Sequence, residues 1–569
     1  MRRIILIGLV ILCKYSAYAQ QPLAGFNPYA YTIDKTGTFK QGAVVSAHPL
    51  ASQAGNLILQ QGGNAVDAAI ATQLALAVVY PGAGNLGGGG FLVAHLKNGK
   101  NIAIDYRETA PDKAGRDMYL DAQGNANTTL SQDGHLAAGI PGTVAGLFAS
   151  MKYASLPFSK LIEPAILLAE KGFAISEGEA QSLNAHKAKF IRLNTTHPIA
   201  FVKAQPWKAG DTLIQKELAR TLQLVKAKGA AGFYTGETAH KIVAEMKRGR
   251  GIITLDDLKK YKAKERIPVV FNYKGYTIVT MPPPSSGGIC LQQMMGMVEQ
   301  YPLATYGFQS PQAVQLMVEA ERRAYADRAE YMGDADFVKV PAAQLVQPAY
   351  LKSRMKDFVS AKAGNSEKLK AGQLLPESEE TTHLCVVDAA GNAVSVTTTL
   401  NGSYGSNVVV GGAGFLLNNE MDDFSIKPGV PNMYGLVGSE ANAIAPGKRM
   451  LSSMTPTIVL QQQHPILVTG TPGGSTIITS VFQTLLNILE FNLSPEEAVN
   501  KPKFHHQWLP DQIDVEKDFP ESTIMALEQM GYKVVKRDAI GRTEVIKINT
   551  NRTLEAVGDK RGDDSVAGQ

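Results

Sequence analysis

The feature that most constrains this 569-residue sequence is an abrupt change of character at Thr381. Residues 362–380 are polar, with many Lys, Glu, Gly and Ser residues, and this composition predicts an exposed, mobile linker. Two β-rich runs follow at once, Thr381–Val387 and Ala393–Leu400, with the turn-forming segment Asp388–Asn392 between them. The pattern predicts an antiparallel hairpin that begins at Thr381.

The predicted turn also fixes which residues of the hairpin face each other. With the turn centred near Ala390 and no bulge, opposed residues have numbers that sum to about 780. Thr381 then faces Thr399. Two opposed threonines are common in surface hairpins because threonine favours strands, so the pair alone does not indicate chemistry.

Cleavage of the chain before Thr381 would give this residue a function. A threonine at a new N-terminus has its own base, because an α-amino group has a pKa of about 7.7–8.0. That amine can accept the hydroxyl proton near neutral pH without any histidine. A flexible linker that ends in Glu379–Glu380 and leads into Thr381 is what self-processing requires. We therefore predict Thr381 as a nucleophile and Glu380–Thr381 as the cleavage site.

The charge of the chain excludes nucleic acid as the expected partner. Of the 56 lysines and arginines, three lie in the first twenty residues, which leaves 53 against 51 acidic residues. No basic stripe on the scale of a domain remains. We expect a small-molecule substrate.

The N-terminus has the pattern of a secretory signal peptide over residues 1–19. Arg2 and Arg3 are followed by the ten-residue apolar run Ile4–Cys13, and small residues at Ala17 and Ala19 precede the expected new start. This run falls well short of the ~20 residues that span a bilayer, and we expect no membrane anchor. The interpretation predicts export to the periplasm or free secretion.

Cysteine and histidine usage predicts neither a disulfide scaffold nor a metal site. The mature chain has two cysteines, Cys290 and Cys385, and no cluster with the spacing of metal ligands. The pair His505–His506 is adjacent in sequence and therefore does not share a helix face. We expect no cofactor and no metal.

Other segments predict a mixture of helices and hairpins. An apolar helix is expected over Asn64–Val79, a hairpin over Phe91–Leu96 and Ile102–Tyr106, and mostly helices from Leu161 to Met246. Thr254 and Ser310 have the pattern of helix N-caps. The helix after Ser310 has a run of charges that is typical of a solvated or ion-paired face, and we assign it no chemistry; its members are Glu319, Glu321, Arg322, Arg323, Asp327 and Arg328.

Several long motifs resemble the signatures of the γ-glutamyltranspeptidase family, in family order and over essentially the whole mature chain. Those in the second part are Thr381–His383, Asp388–Asn401, Leu416–Phe424, Leu451–Pro456 and Thr471–Ser475. Those in the first part are Asn85–Gly90, Asp105–Pro111 and Pro283–Gly288.

The resemblance implies an α+β fold, the N-terminal nucleophile hydrolase fold, in which two stacked antiparallel sheets lie between helical layers as a four-layer αββα sandwich. It also implies autocleavage into a large subunit, residues 20–380, and a small subunit, residues 381–569. The two subunits would remain associated as one intertwined domain.

The resemblance further implies the site residues. Thr381 is the nucleophile, Thr399 supports it, and backbone N–H groups of Gly473 and Gly474 form an oxyanion hole ahead of a helix over Ser475–Ile478. A γ-glutamyl group presents an α-carboxylate, an α-ammonium and a γ-carbonyl. The residues expected to bind it are Arg107, Ser452 and Ser453 for the carboxylate, and Asn401, Glu420 and Asp423 for the ammonium.

The segment Pro428–Met450, which contains Tyr434, resembles a lid over the substrate site. Its presence favours γ-glutamyltranspeptidases over related cephalosporin acylases, and a lid that excludes water favours transfer over hydrolysis. The implied substrates are glutathione and other γ-glutamyl compounds, with water, an amino acid or a dipeptide as acceptor.

Alternative interpretations are weaker but two remain open. The glycine cluster Gly87–Gly90 lacks the Lys-Ser/Thr of a phosphate loop, and Ser353 with Lys356 lacks the companion motifs of a serine acylase. The open alternatives are a related acylase for other amides and an inactive exported protein that only binds γ-glutamyl ligands.

Overall fold

The computed structural model of the protein describes residues 27–369 and 381–569. Two predicted segments lie outside this part of the chain. They are the signal peptide, residues 1–19, and residues 370–380 of the linker, which include Glu380. Within it, none of the helices combines the length and the apolar character needed to cross a membrane.

The strands in chain order are β1 (Thr36–Phe39), β2 (Ala43–Ser46), β3 (Gly89–His95), β4 (Asn101–Asp105), β5 (Phe173–Ala174), β6 (Thr212–Leu213), β7 (Lys264–Arg266), β8 (Val269–Tyr273), β9 (Tyr276–Thr280), β10 (Thr382–Val387), β11 (Ala393–Thr399), β12 (Thr457–Gln461), β13 (His464–Gly470), β14 (Phe504–His505), β15 (Ile513–Glu516), β16 (Val534–Arg537), β17 (Glu544–Ile548), β18 (Leu554–Val557) and β19 (Ser565–Gly568).

The α-helices are α1 (Pro49–Gln60), α2 (Ala65–Val79), α3 (Thr128–Gln132), α4 (Thr143–Ser150), α5 (Phe158–Leu161), α6 (Glu163–Lys171), α7 (Glu177–Leu193), α8 (Lys216–Lys228), α9 (Ala231–Tyr234), α10 (Gly236–Arg248), α11 (Leu255–Lys260), α12 (Gly287–Val298), α13 (Leu303–Tyr306), α14 (Pro311–Tyr331), α15 (Ala342–Leu345), α16 (Pro348–Arg354), α17 (Thr476–Leu489), α18 (Pro495–Asn500) and α19 (Glu521–Gln529). Short 3₁₀ turns cover His135–Ala137, Met151–Tyr153, Glu420–Asp423 and Glu440–Asn442.

Most strands belong to two seven-stranded sheets. The first has the order β1-β18-β17-β13-β12-β9-β8 and the second β19-β2-β10-β11-β3-β4-β7. Neighbouring strands within both sheets are antiparallel. Both sheets contain strands from before and after residue 380, and strands of the two parts pair directly, as β1 with β18, β9 with β12, β2 with β10 and β3 with β11.

The two sheets and the helices form four layers, with apolar side chains packed between them. Residues such as Val45, Phe91 and Ile458 fill the space between the two sheets. Helices α1 and α2 cover the outer face of the second sheet, and α12, α14 and α17 cover that of the first. The predicted four-layer αββα sandwich of two antiparallel sheets is confirmed.

Local sequence signals explain why several helices begin where they do. The Asn64 side chain accepts hydrogen bonds from Val66 N and Asp67 N at the start of α2, whose residues are all buried. Thr254 caps α11, and Ser310 caps α14 by accepting from Ala313 N at 3.1 Å. The predicted buried helix and both predicted caps are confirmed.

The start of the predicted linker, residues 362–369, packs against the body of the protein. Ala363 N donates to the carbonyl oxygen of Met530, and Ser366 N donates to Asp511 Oδ2 at 2.8 Å. The Ser366 side chain is buried and accepts a hydrogen bond from Arg322.

The sequence predicted a solvated or ion-paired face for the charged run of α14, and the structure shows a buried, largely ion-paired one. Ion pairing is present for most of these side chains: Glu319 contacts Arg322 and Arg323, and Asp327 contacts Arg354 at 3.1 Å. The whole span Ala313–Ala329 is buried, because α14 lies under the first sheet beside α12. A charged run on a helix can therefore face a polar interior.

Candidate active site

The hairpin β10–β11 brings the two predicted threonines together. Thr382 pairs with Thr398 and Val387 with Ala393, so facing residues have numbers that sum to 780 as predicted. Extending this register by one residue puts Thr381 opposite Thr399. Both side chains are buried, and both line one cleft. The Thr399 Oγ1 atom accepts a hydrogen bond from Asn401 N at 2.7 Å.

Side-chain alternation along β10 directs Thr381 towards the first sheet. Leu384 and Val386 pack against the helices, whereas Cys385 and Val387 lie between the sheets. The imidazole of His383 lies on this inner side, against Gly470 of β13, with Nδ1 2.9 Å from Thr397 Oγ1. Burial lowers the pKa of His383 to about 3, which keeps the ring neutral.

Arg107 follows β4 and is fully buried at the cleft, where carboxylates and carbonyl oxygens surround its guanidinium group. Nη1 lies 2.5 Å from Glu420 Oε2, and Nη2 donates to Asp423 Oδ2. Nε donates to the carbonyl oxygen of Met450 at 3.3 Å, and Nη2 also donates to that of Leu451 at 3.2 Å. Burial opposes this charge, but the carboxylates of Glu420 and Asp423 raise the pKa of Arg107 above its usual value.

The acids around Arg107 are themselves strongly perturbed. Glu108, the next residue in the chain, has a carboxylate oxygen 3.7 Å from Arg107 Nη1. Burial raises the pKa of Glu108, Glu420 and Asp423, and the positive charge of Arg107 offsets part of that rise. Perturbed carboxyls beside one cation in a cleft are typical of a binding site for a charged ligand.

Ser452 and Ser453 line the same cleft, and the proline- and glycine-containing loop between β9 and α12 holds them. Ser286 N and Ser286 Oγ both donate to the Ser452 carbonyl oxygen, at 2.8 and 2.7 Å. Ser452 N donates to the Pro284 carbonyl oxygen at 3.0 Å. The loop 282–288 therefore fixes the backbone that presents both serine hydroxyls.

The predicted oxyanion glycines lie directly before α17. Gly474 lines the cleft, and among the described residues neither Gly473 N nor Gly474 N has a hydrogen-bond acceptor. Gly474 has φ 51°, and a Cβ there would lie 2.4 Å from Tyr434 Cδ1, so only glycine fits. Two free N–H groups at a helix N-terminus can stabilise a developing negative charge.

Tyr434, from the predicted lid, covers the cleft from above Gly474. Its hydroxyl donates to the carbonyl oxygen of Asn401 at 2.6 Å, and its N–H donates to Asn432 Oδ1. Asn432 Nδ2 in turn donates to Asp423 Oδ1 at 2.9 Å. The segment is thus tied to Asn401, just after β11, and to Asp423.

Most predicted site residues meet in this cleft, whose empty space is about 290 Å³. Glu420 and Gly473 lie just outside its lining, and Glu380 lies outside the described residues. The lining consists of Arg107, Arg328, Thr381, Thr399, Asn401, Asp423, Tyr434, Leu436, Ser452, Ser453, Met454, Gly474 and Ile477.

Sequence reasoning missed Arg328 in this lining. The residue belongs to the charged run of α14 to which we assigned no chemistry. Its position in the charged run gives no signal that distinguishes it from Arg322 and Arg323, which are buried on the same helix. Only the packing of α14 against the loop 282–288 brings it to the site.

The fold and the cleft define the class of protein as an N-terminal nucleophile hydrolase, since a threonine begins a central strand of two stacked antiparallel sheets. The cephalosporin acylase from Bacillus halodurans has the same fold, with a TM-score of 0.82 and 26% identity over 96% of this chain and 99% of that one. The γ-glutamyltranspeptidase of Helicobacter pylori matches with a TM-score of 0.57 and 46% identity, over 60% of this chain and 97% of that one.

Sequence comparison identifies the family within this class. The profile of the family described as gamma-glutamyltranspeptidase matches residues 51–569. The glutathione hydrolase proenzyme of Escherichia coli is 47% identical over 100% of this chain and 99% of its own length. The chain belongs to the γ-glutamyltranspeptidase family and is an enzyme.

Proposed function

We propose that the protein is a γ-glutamyltransferase and glutathione hydrolase that cleaves itself between Glu380 and Thr381. The observation that carries this proposal is the content of the cleft. It combines a threonine at the start of a strand, a buried arginine among carboxyls, and Gly474, which together with the adjacent Gly473 offers free N–H groups. The threonine would supply the attacking hydroxyl, and the arginine and carboxyls would bind the zwitterionic end of the γ-glutamyl group. The glycine N–H groups would stabilise the oxyanion.

Maturation is needed because the nitrogen of Thr381 is an amide in the uncleaved chain and cannot accept a proton. Attack of Thr381 Oγ1 on the Glu380 carbonyl carbon would convert that amide into an ester, and water would then hydrolyse the ester. The products are a large subunit, residues 20–380 after removal of the signal peptide 1–19, and a small subunit, residues 381–569. The signal pattern supports a periplasmic or secreted enzyme.

Catalysis then uses Thr381 as both nucleophile and base. Its amine accepts the hydroxyl proton as Oγ1 attacks the γ-carbonyl carbon, and the Gly473 and Gly474 N–H groups stabilise the oxyanion. Collapse breaks the C–N bond, and the leaving amine takes the proton. The remaining γ-glutamyl ester is passed to water or to the amine of an amino acid or dipeptide.

Substrate binding follows from charge complementarity. Arg107, Ser452 and Ser453 would hold the α-carboxylate, while Asn401, Glu420 and Asp423 would accept from the α-ammonium. An incoming carboxylate would replace Glu420 and Asp423 on Arg107, and the released acids would turn to the ammonium. Tyr434 and the rest of segment 428–450 would exclude water from the ester and so favour transfer.

The rival function is an acylase for other amides, and the fold similarity to a cephalosporin acylase gives it a specific basis. A glutaryl group differs from a γ-glutamyl group by lacking the ammonium. The purified enzyme should therefore be tested on γ-glutamyl and glutaryl anilides. We expect kcat/KM to favour the γ-glutamyl anilide by about 100-fold or more, because the glutaryl group leaves the acids unpaired.

Two controls make the test decisive. Asp423→Asn should lower the ratio of kcat/KM for the γ-glutamyl anilide to that for the glutaryl anilide, because it weakens the ammonium site. Asp112→Asn, at an exposed surface ion pair with Lys260, should leave this ratio unchanged. Equal or faster turnover of the glutaryl anilide would establish the acylase instead. A protein that stays a single chain on a denaturing gel and turns over neither anilide would be a binding protein.

A further inference from the structure

Arg328 is a second cation in the cleft, besides Arg107. It lies near the C-terminal end of α14, is 5% exposed, and lines the same cavity as Thr381 and Ser453. The sequence predicts no function for it, because it belongs to the charged run of that helix. Its surroundings differ from those of every neighbouring arginine on α14.

The hydrogen bonds of Arg328 go only to neutral hydroxyl groups. Nε donates to Ser286 Oγ at 2.9 Å and Nη2 donates to Ser453 Oγ at 3.1 Å. Over residues 27–369 and 381–569, Arg328 forms no ion pair, and its Nη1 atom has no hydrogen-bond partner. By contrast, Arg322 pairs with Asp511 and Arg323 with Asp357. Asp423 interacts electrostatically with Arg328 but forms no ion pair with it. A buried guanidinium group with no carboxylate at ion-pair distance is costly, which favours an anionic ligand in the cleft.

Unlike Arg328, Arg107 has a partner at each of its three guanidinium nitrogens. Its guanidinium nitrogens already contact Glu420, Asp423 and two backbone carbonyl oxygens. A carboxylate that approaches Arg107 alone would meet carboxyl groups on the same cation. A second positive charge is needed to make the carboxylate end of the cleft attractive to an anion.

The hydroxyl of Ser453 links Arg328 to that anion. Because Ser453 Oγ accepts from Arg328 Nη2, its own hydrogen is free, and it donates to no other residue in the described part of the chain. Ser286, which accepts from Arg328 Nε, also donates to the Ser452 carbonyl oxygen. Arg328 therefore orients one serine hydroxyl and fixes the backbone of the other.

We infer that Arg328 is a positioning residue for the α-carboxylate of the γ-glutamyl substrate, acting through the hydroxyl of Ser453. It holds Ser453 Oγ as an acceptor, so that the hydroxyl hydrogen points to the carboxylate. Its charge also balances the acids around Arg107. This inference rests on the proposed function and adds a specificity residue to it.

The test compares ligands with and without the α-carboxylate in Arg328→Met, which removes the charge at similar length. The inhibition constant of L-glutamate should rise about 10- to 100-fold, because a charged hydrogen-bond network is lost. That of 4-aminobutyrate, which has no α-carboxylate, should change less than about twofold. For a γ-glutamyl anilide, KM should rise by a similar factor to the glutamate constant while kcat changes less than about threefold.

Arg323→Met is the matched control. Arg323 is equally buried on α14 but donates to Asp357, Glu319 and the Arg354 carbonyl oxygen, away from the cleft. This variant should lower the melting temperature and leave both inhibition constants within about twofold of wild type. A general defect in the helix would not discriminate between the two ligands.

Two further variants test the route through Ser453. Arg328→Lys retains the charge and should recover most of the affinity for L-glutamate. Arg328→Gln, which also removes the charge, carries the ligand comparison if Arg328→Met does not fold. In a double-mutant cycle, Arg328→Met combined with Ser453→Ala should weaken L-glutamate binding little more than either change alone.

The outcomes separate this inference from the proposed function. If wild type does not turn over the γ-glutamyl anilide, the proposed function is wrong. If wild type is active but Arg328→Met weakens L-glutamate and 4-aminobutyrate equally, or leaves L-glutamate unchanged, the role of Arg328 is wrong. Additive effects in the double-mutant cycle would contradict the route through Ser453.

Discussion

The hairpin β10–β11 and the helix α14 both contribute residues to the same cleft, yet they relate to the sequence in different ways. The hairpin follows from local signals: two β-rich runs, a turn at Asp388–Asn392, and a register that the turn determines. The helix is equally well marked by its cap at Ser310, but the environment of its charged side chains is set by distant segments. Contact with residues such as Asp511 and Ser453 decides which charges are paired and which face the site.

The comparison shows that local pattern determines an element, whereas tertiary packing determines what its polar side chains do. If so, disrupting the buried pairs of α14 should have large consequences for stability. Changes in the hairpin should act through specific hydrogen bonds, with smaller and separable effects.

The largest effect is expected at Glu319 of α14. Its carboxylate contacts Arg322 and Arg323, and it accepts from the Tyr532 hydroxyl at 2.6 Å. Glu319→Ala should lower the free energy of unfolding by about 3–5 kcal/mol, because it removes the buried carboxylate shared by two buried cations and leaves them only Asp511 and Asp357, which are more exposed. Urea denaturation followed by tryptophan fluorescence measures the change.

Glu330→Ala is the control for that prediction, since Glu330 is on the same helix with an exposed side chain. It should change the free energy of unfolding by less than about 0.5 kcal/mol. Equal effects at the two positions would mean that burial of the charged face does not matter.

An intermediate effect is expected from His383 of the hairpin as pH falls. The folded protein keeps this ring neutral, with a pKa of about 3, whereas an unfolded histidine titrates near 6.5. Its contribution to stability is therefore complete above pH 6.5 and is lost as pH falls towards 3. Between pH 6.5 and 5 the loss should be about 2 kcal/mol.

The measurement is the free energy of unfolding at both pH values in wild type and in His383→Gln. The variant should lose about 2 kcal/mol less than wild type on acidification, while the buried His506, whose pKa is lowered to about 4, contributes equally to both. Parallel pH profiles would show that His383 is not held neutral.

A smaller effect on activity is expected at Thr399. Thr399→Val removes the hydroxyl that accepts from Asn401 N, and so loosens the residue that also accepts from Tyr434. We expect kcat/KM for a γ-glutamyl anilide to fall about tenfold, equivalent to about 1.4 kcal/mol. Thr399→Ser retains the hydroxyl and should stay within about threefold of wild type; a larger loss in Thr399→Ser than in Thr399→Val would contradict the assignment.

The smallest effect is expected at the hairpin turn. Gly391 has φ 84°, with no atom within 4 Å of an added Cβ, so Gly391→Ala meets only backbone strain. It should lower the free energy of unfolding by about 1 kcal/mol and leave kcat/KM unchanged. Gly391→Asn should cost less, because asparagine tolerates this conformation.

The sequence predicted the fold class, the hairpin register and the position of most cleft residues. The pairing of Thr381 with Thr399 could be predicted because a turn sets the register over a short range. The positions of Arg107, Ser452 and Ser453 could be predicted because long motifs resemble one family. The burial of α14 and the proposed role of Arg328 could not be predicted from the sequence. Both depend on contacts with residues such as Ser286 and Asp511, which are far from α14 in the chain, and no periodicity in the helix reports them.

Thr381→Ala tests most directly whether this residue becomes both a chain start and the attacking group. Intact mass spectrometry of the purified protein, combined with an assay for glutamate released from γ-glutamyl amides, gives both answers from one sample. For wild type we expect two polypeptides, the smaller beginning at Thr381, and release of glutamate. For Thr381→Ala we expect one unbroken polypeptide and no release. Two polypeptides with continued release from Thr381→Ala would contradict the account.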